Sequence, residues 1–281
     1  MQDIVVGIDT ESPSRVALEW VIERAAIVPA RIRLVTVLGD HPFSRKDAVR
    51  DLAAAEARLR AARPGVSVET KLLEGIGIPE VLADEAADAD LLVIGHHRGR
   101  IVRSLATGAL PTQIALHARC PVVIVPQDWL RRFGKCVVGV QFDGSSEAAV
   151  AFAAAEARAA GRSLDIVHVT DAPDHPGSSI VFTRPDSPGE RSPSMAEAVS
   201  QAQAGNPGLA IRTFSVSADP DRVMRAHGRE AALVVIGRHG RGAWDALLRD
   251  SVTYNFMNWS TAPLCVVPAG WRATTPEDAR A

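Results

Sequence analysis

Aromatic residues are scarce in this chain: they make up 5% of its 281 residues, and there is a single tyrosine. A core that cannot draw on rings must be filled by Val, Leu, Ile and Ala. The 47% apolar content supplies enough of them for α/β architecture in two domains of ordinary size. Cysteine is nearly as rare. Cys120, Cys136 and Cys265 form an odd set with no CxxC spacing, which excludes a disulfide framework and a zinc ribbon. They read as reduced, buried thiols of a cytoplasmic protein. Net charge is only −2, too little basic excess for a general nucleic-acid surface. No apolar run approaches membrane-spanning length, so no membrane partner is expected. The stretch Met1-Gln2-Asp3-Ile4-Val5-Val6-Gly7 already reads as a strand and lacks the basic flank of a signal peptide.

What the chain does have, it has twice. Leu91-Leu92-Val93-Ile94-Gly95-His96-His97-Arg98 returns as Leu233-Val234-Val235-Ile236-Gly237-Arg238-His239-Gly240. Val5-Val6-Gly7-Ile8-Asp9 returns as Val137-Val138-Gly139-Val140-Gln141, and Cys120-Pro121-Val122-Val123-Ile124-Val125-Pro126 as Ala262-Pro263-Leu264-Cys265-Val266-Val267-Pro268. Each apolar run has the pattern of a strand buried on both faces. The spacing between copies grows by ten residues between the first and fourth strands, and the Pro-rich stretch from Asp171 to Pro193 absorbs them as a surface loop. The expected organisation is a first domain over 1–126, a linker over 127–133, a second domain over 134–268 and a frayed tail over 269–281.

Within each half, strands alternate with helical patterns. In the first, Ser12-Pro13 opens a helix with Leu18, Val21, Ala25 and Val28 on one face. Ser44 with Asp47 resembles a capping box before a helix with Val49, Leu52 and Leu59 inward. A strand over 66–73, a helix over 79–87 and a fourth helix near 110–118 follow. Such alternation predicts an α/β fold. Two tandem doubly wound domains are expected, each a five-stranded parallel sheet of order 3-2-1-4-5 with helices on both faces. In that order the first and fourth strands flank the crevice at the carboxyl edge where ligands sit. A glycine-bearing loop running into a helix N-terminus presents converging backbone N–H groups there, a phosphate cradle.

These residues resemble the universal stress protein family, in a tandem form that covers both halves. The resemblance rests on the Val-Val-Gly-Ile-Asp start, the glycine loop after the fourth strand and the Pro-Val-Val final strand. Nucleotide-binding members carry Gly, two residues, Gly, nine residues, Gly, then Ser or Thr. The first half has Gly95 and Gly108, with Arg98 at the second glycine and Ala109 at the hydroxyl position. The second has Gly237, Gly240 and Ser251, with Asp250 at the third glycine. The family's first-strand Asp, near adenine and ribose, is Asp9 and becomes Gln141; its adenine-lining Val is Val37 or Val169. The resemblance therefore implies an ATP or related adenine-nucleotide site built from Asp9, Val37, Gly95, Arg98, Gly108 and Ala109 in the first domain. Gly237, Gly240 and Ser251 are its remnant in the second.

The departures differ in weight. Arg98 at a position of positive φ costs on the order of 1–2 kcal/mol, and its guanidinium offers a bidentate phosphate contact in return. Ala109 gives up one hydrogen bond, about 1 kcal/mol. Asp250 puts a carboxylate into the anion position itself. Against a phosphate about 5 Å away, at effective dielectric ~20, that repulsion is roughly 3 kcal/mol. The second half is expected to bind no triphosphate.

Other clusters read as ordinary structure. His96-His97 and His239 have no Cys or carboxylate at ligand spacing, so exposed polar loops are expected and no metal. His168, inside a strand, reads as a satisfied core histidine. Arg98, Arg100, Arg103, Arg238 and Arg241 fit phosphate neutralisation or a solvated basic face equally well. No nucleophile–base pair can be named, and the loops after the first strands match neither an H-x-G-H nor an S-G-G-x-D-S signature, so no catalytic residues and no enzyme are expected. Two functions stand: a stress-response protein binding ATP in its first domain, or a nucleotide-free signalling adaptor of the same fold. The apolar final strands would be bare edges, so the two halves are expected to pair through them about a pseudo-two-fold axis, with room for a homodimer.

Overall fold

The computed structural model describes residues 1–9, 12–39, 44–97, 110–141, 146–170, 193–238, 256 and 260–272. The chain divides into two compact units that part between Trp129 and Leu130, inside the stretch expected to link the halves.

The first unit runs β1 (Gln2–Gly7), α1 (Ser12–Arg24), β2 (Ala30–Leu38), α2 (Arg45–Ala62), β3 (Ser67–Glu74), α3 (Ile78–Glu85), β4 (Leu91–His96), α4 (Leu110–His117) and β5 (Val122–Pro126). All its strands are parallel, in the order β3-β2-β1-β4-β5. Ile4, Val5 and Val6 of β1 and Leu91, Leu92 and Val93 of β4 are all fully buried. Consecutive burial of that kind requires cover on both faces. Helices α1 and α2 pack together, as do α3 and α4. Because the chain moves along the sheet in opposite directions before and after β3, right-handed crossovers send these pairs to opposite faces.

Ser44 caps α2 as expected: its hydroxyl accepts from the Asp47 backbone N–H at 3.1 Å, while the Asp47 carboxylate accepts from that hydroxyl at 2.6 Å. The inward face of α2 differs from expectation. Val49 is 52% exposed, and the buried stripe is Ala48, Leu52, Ala55 and Leu59. Two alanines take part because the helix lies close to β2 and β3, where a branched side chain would hold it away. In α1, Leu18 and Val21 are buried as expected, but the helix ends at Arg24, so Ala25 and Val28 lie beyond its face.

The second unit repeats the plan with β6 (Cys136–Val140), α5 (Glu147–Ala159), β7 (Leu164–Thr170), α6 (Pro193–Ala204), β8 (Ile211–Ser217), α7 (Pro220–Gly228), β9 (Leu233–Arg238) and β10 (Leu264–Pro268). Its parallel order β8-β7-β6-β9-β10 is the same 3-2-1-4-5 arrangement. The Pro-rich stretch 171–192 and the segment 239–255 lie outside the described residues. The expected fraying does not begin at 269. Trp271 donates its backbone N–H to Pro268 at 3.0 Å and sets its ring edge-on against Phe152, centroids 5.4 Å apart. An indole with a buried ring to pack on keeps those residues with their unit.

Candidate functional site

In the first unit the strand order reverses direction at β1, which has β2 on one side and β4 on the other. Val6 pairs with Val93, so the end of β1 and Gly95 of β4 emerge together at the carboxyl edge. That is the crevice where open α/β sheets bind ligands.

Three hydrogen bonds fix the end of β1. Ile8 donates its N–H to the Val35 carbonyl at 2.8 Å, and the Thr36 hydroxyl donates to the Ile8 carbonyl at 2.8 Å. The buried Ser14 hydroxyl donates to the Asp9 carbonyl at 3.0 Å. With its backbone held from β2 and from the first turn of α1, Asp9 presents its side chain at an exposed position. Val37 lies half-buried on the neighbouring strand, one residue before the end of β2.

Gly95 has a role the sequence did not reveal. A Cβ built on it would stand 2.2 Å from the Pro13 carbonyl carbon and 2.3 Å from its oxygen. Helix α1 therefore starts directly against β4, and only glycine permits that approach. The expectation that Gly95 serves phosphate binding thus meets a packing requirement that exists with or without a ligand. Next to it, Gln127 donates its backbone N–H to the His96 carbonyl at 2.9 Å, and the His97 Nδ1 lies 2.7 Å from Gln127 Oε1. His96, expected in an exposed loop, is instead buried at the end of β4. Among the described residues no cluster of His, Cys, Asp and Glu has the arrangement to hold a metal.

The structure thus brings Asp9, Val37 and Gly95 to one edge of one sheet. Arg98, Gly108 and Ala109, expected to hold phosphates, lie outside the described residues, as do Gly240, Asp250 and Ser251 of the second copy.

The second unit keeps the same frame with altered chemistry. Gln141, exposed at the end of β6, stands where Asp9 stands in the first. Gly237 is half-buried on β9. The buried Ser146 accepts from the Gln141 backbone N–H at 2.9 Å, and His168 Nδ1 lies 3.0 Å from the Val140 carbonyl. His168 is bonded as expected but half-buried rather than in the core, and it takes the part of Thr36. All three cysteines are buried, and burial pushes the Cys120 thiol up to about 12, leaving it protonated at neutral pH.

Neither unit has a described helix long and apolar enough to cross a membrane. The model of the Universal stress protein family matches the chain twice, over residues 1–126 and 132–268. Universal stress protein Rv2623 of Mycobacterium tuberculosis is 28% identical, over 94% of this chain and 95% of its own length. Universal stress protein Rv2005c of the same organism is 25% identical, over 94% and 96%. The crystal structure of a universal stress protein from Archaeoglobus fulgidus superposes with a TM-score of 0.70 at 14% identity, covering 95% of this chain and 96% of that one, a likeness of fold. With the sheet order, the doubled crevice and two family matches in agreement, the chain belongs to the universal stress protein family as a tandem, two-domain member.

Proposed function

We propose that this protein is a stress-linked regulator that holds ATP or a related adenine nucleotide in its first domain and none in its second. The observation that carries the reading is the contrast between Asp9 and Gln141 in one preserved frame. Both stand exposed at the end of the central strand, with a hydroxyl or ring group from the next strand bonded to the preceding carbonyl. Only Asp9 offers a carboxylate to a ribose hydroxyl or an exocyclic amine, and charge-assisted hydrogen bonds of that type are the strong ones. Val37 supplies an apolar wall beside it. The residues fit the base and ribose side of an adenine nucleotide.

On this reading the chain senses rather than catalyses. Asp9 positions the nucleoside, Gly95 lets α1 close the floor of the crevice, and Gly108, Ala109 and Arg98 meet the phosphates. Arg98 and Ala109 depart from the nucleotide-binding pattern, and this favours, as a second reading, an adaptor that works without nucleotide. Calorimetric titration of the full chain with ATP separates the two. Binding that disappears in Asp9→Ala is expected; a parent that takes up no adenine nucleotide refutes the first reading and leaves the adaptor.

A further inference from the structure

At the opposite, amino-terminal edge of each unit's sheet, equivalent positions carry an ion network whose centre and strand partners have opposite signs in the two units. In the first unit the centre is Arg33 on β2, whose guanidinium bonds the Glu85 carboxylate and, at 3.3 Å, Asp3. Glu85 also accepts from Lys71 at 3.0 Å, and Arg33 lies opposite Glu69 in the register. In the second unit the centre is Asp165 on β7, fully buried. It accepts from Arg212 at 2.8 and 3.0 Å and from Lys135 at 3.1 Å, with His227 Nδ1 at 3.8 Å.

The matching is position by position. Asp3 and Lys135 each stand one residue before the first strand's apolar run, and Arg33 and Asp165 each lie one residue past the partner of Ile4 or Cys136. Glu69 and Arg212 are the register partners of those central residues. Glu85 and His227 both stand six residues before the fourth strand, on α3 and α7. At the fifth position Lys71 bonds Glu85, while Phe214 sets its ring edge-on to His227, centroids 4.6 Å apart. In both units the central residue meets the first-strand and third-helix positions, in the second Arg212 bonds it as well, and the charge at the centre is inverted.

Two repeats that share backbone, register and apolar core face a hazard in folding. The third helix of one can dock on the sheet of the other, since misassembly is the characteristic failure of tandem copies. Apolar faces do not discriminate between them. A buried charge does, because a like charge brought beside it adds repulsion where its own helix supplies a compatible partner. From this geometry we infer that positions 3, 33, 69, 71 and 85, with 135, 165, 212, 214 and 227, form a matching code that ties each third helix to the sheet of its own repeat. Helix α3 brought to the second sheet sets Glu85 against the buried Asp165. Helix α7 brought to the first leaves Arg33 facing an imidazole instead of a carboxylate. Repulsive discrimination of this kind is how similar partners are kept apart.

The test uses the full chain and hydrogen exchange read by mass spectrometry, comparing peptides from β6–β8 with those from β1–β3. His227→Glu is expected to speed exchange in the second domain roughly a hundredfold. His227→Gln, which keeps a polar side chain and adds no charge, is expected to stay within roughly threefold of the parent. Neither should alter β1–β3. The reversal set Lys135→Asp, Asp165→Arg, Arg212→Glu, Phe214→Lys and His227→Glu installs the first unit's signs in the second, and should recover most of the protection that His227→Glu alone loses. Equal exchange in His227→Glu and His227→Gln overturns the proposal, since packing rather than sign would then govern the position. A reversal set that exchanges as fast as His227→Glu alone, or does not fold, overturns it as well.

Discussion

Replacing Gly95 by alanine adds one methyl group at the most crowded point of the crevice. Its Cβ would meet the Pro13 carbonyl carbon at 2.2 Å, the carbonyl oxygen at 2.3 Å and the Pro13 Cβ at 2.7 Å. Carbon atoms in ordinary contact stand about 3.5–4.0 Å apart, so the first turn of α1 or the end of β4 must retreat by roughly 1 Å. Two of the three atoms are backbone, and the third belongs to a proline ring, so no rotamer change relieves the contact. Overpacking of this type costs about 1–3 kcal/mol. For a domain of this size each kcal/mol lowers the melting temperature by about 3–6 °C. The same retreat moves Ser14, and with it the Asp9 carbonyl that its hydroxyl holds. Gly95→Ala should therefore lose stability and ATP binding together in scanning calorimetry and titration of the full chain. Asp9→Ala separates the two effects. The residue is exposed, so its truncation should leave the melting temperature close to the parent's while ATP binding is lost. A Gly95→Ala protein that melts with the parent and binds ATP as the parent does would refute the claim that close packing of α1 on β4 sets the crevice.

In an Asp9→Ala background, which silences the first domain, Asp250→Gly should raise ATP affinity of the full chain about a hundredfold by removing roughly 3 kcal/mol of repulsion. Gln141→Asp added to it should raise affinity further, and a chain that already binds ATP through its second domain before either change refutes the blocked-site reading. At Asp165, burial alone would raise the pKa, but His227, Arg212 and Lys135 outweigh it and hold the carboxyl at about 2, against 3.8 when unperturbed. Because the folded value is the lower one, this carboxylate adds about 2–3 kcal/mol that is fully present above pH ~4 and is lost as pH falls towards 2. Asp165→Asn should cost about 3–5 kcal/mol at pH 7 and flatten the acid limb of the second domain's stability curve; an unchanged limb in urea titrations excludes Asp165 as its source. On α2, Leu59→Ala should cost about 2–5 kcal/mol whereas Val49→Ala, at a half-exposed position, should fall within about 0.5 kcal/mol, both read from urea midpoints.

The sequence by itself determined the architecture. Runs such as Ile4-Val5-Val6 and Leu91-Leu92-Val93 are apolar at every position, and only a strand covered on both faces tolerates that. Their recurrence gave two copies, and alternation with helical patterns gave parallel order and the crevice beside β1. Asp9 and Val37 could be placed at strand ends from the sequence, because there local pattern and position in the sheet coincide. The helix faces were less legible, since Val49 and Ala48 differ by one residue of phase and only contact with β2 and β3 chooses between them. Gly95 has a neighbour the sequence did not show: Pro13, 82 positions earlier in the chain, requires glycine there, and no local pattern encodes that distance. The sign-reversed networks were invisible for the same reason. Asp3, Arg33, Glu69 and Glu85 look like scattered surface charges until strand register and helix docking place them together, and Asp165 among apolar residues gives no hint of its three basic neighbours. Periodicity is a property of neighbours along the chain, whereas a buried charge is stabilised by neighbours across it, and those only the tertiary structure decided.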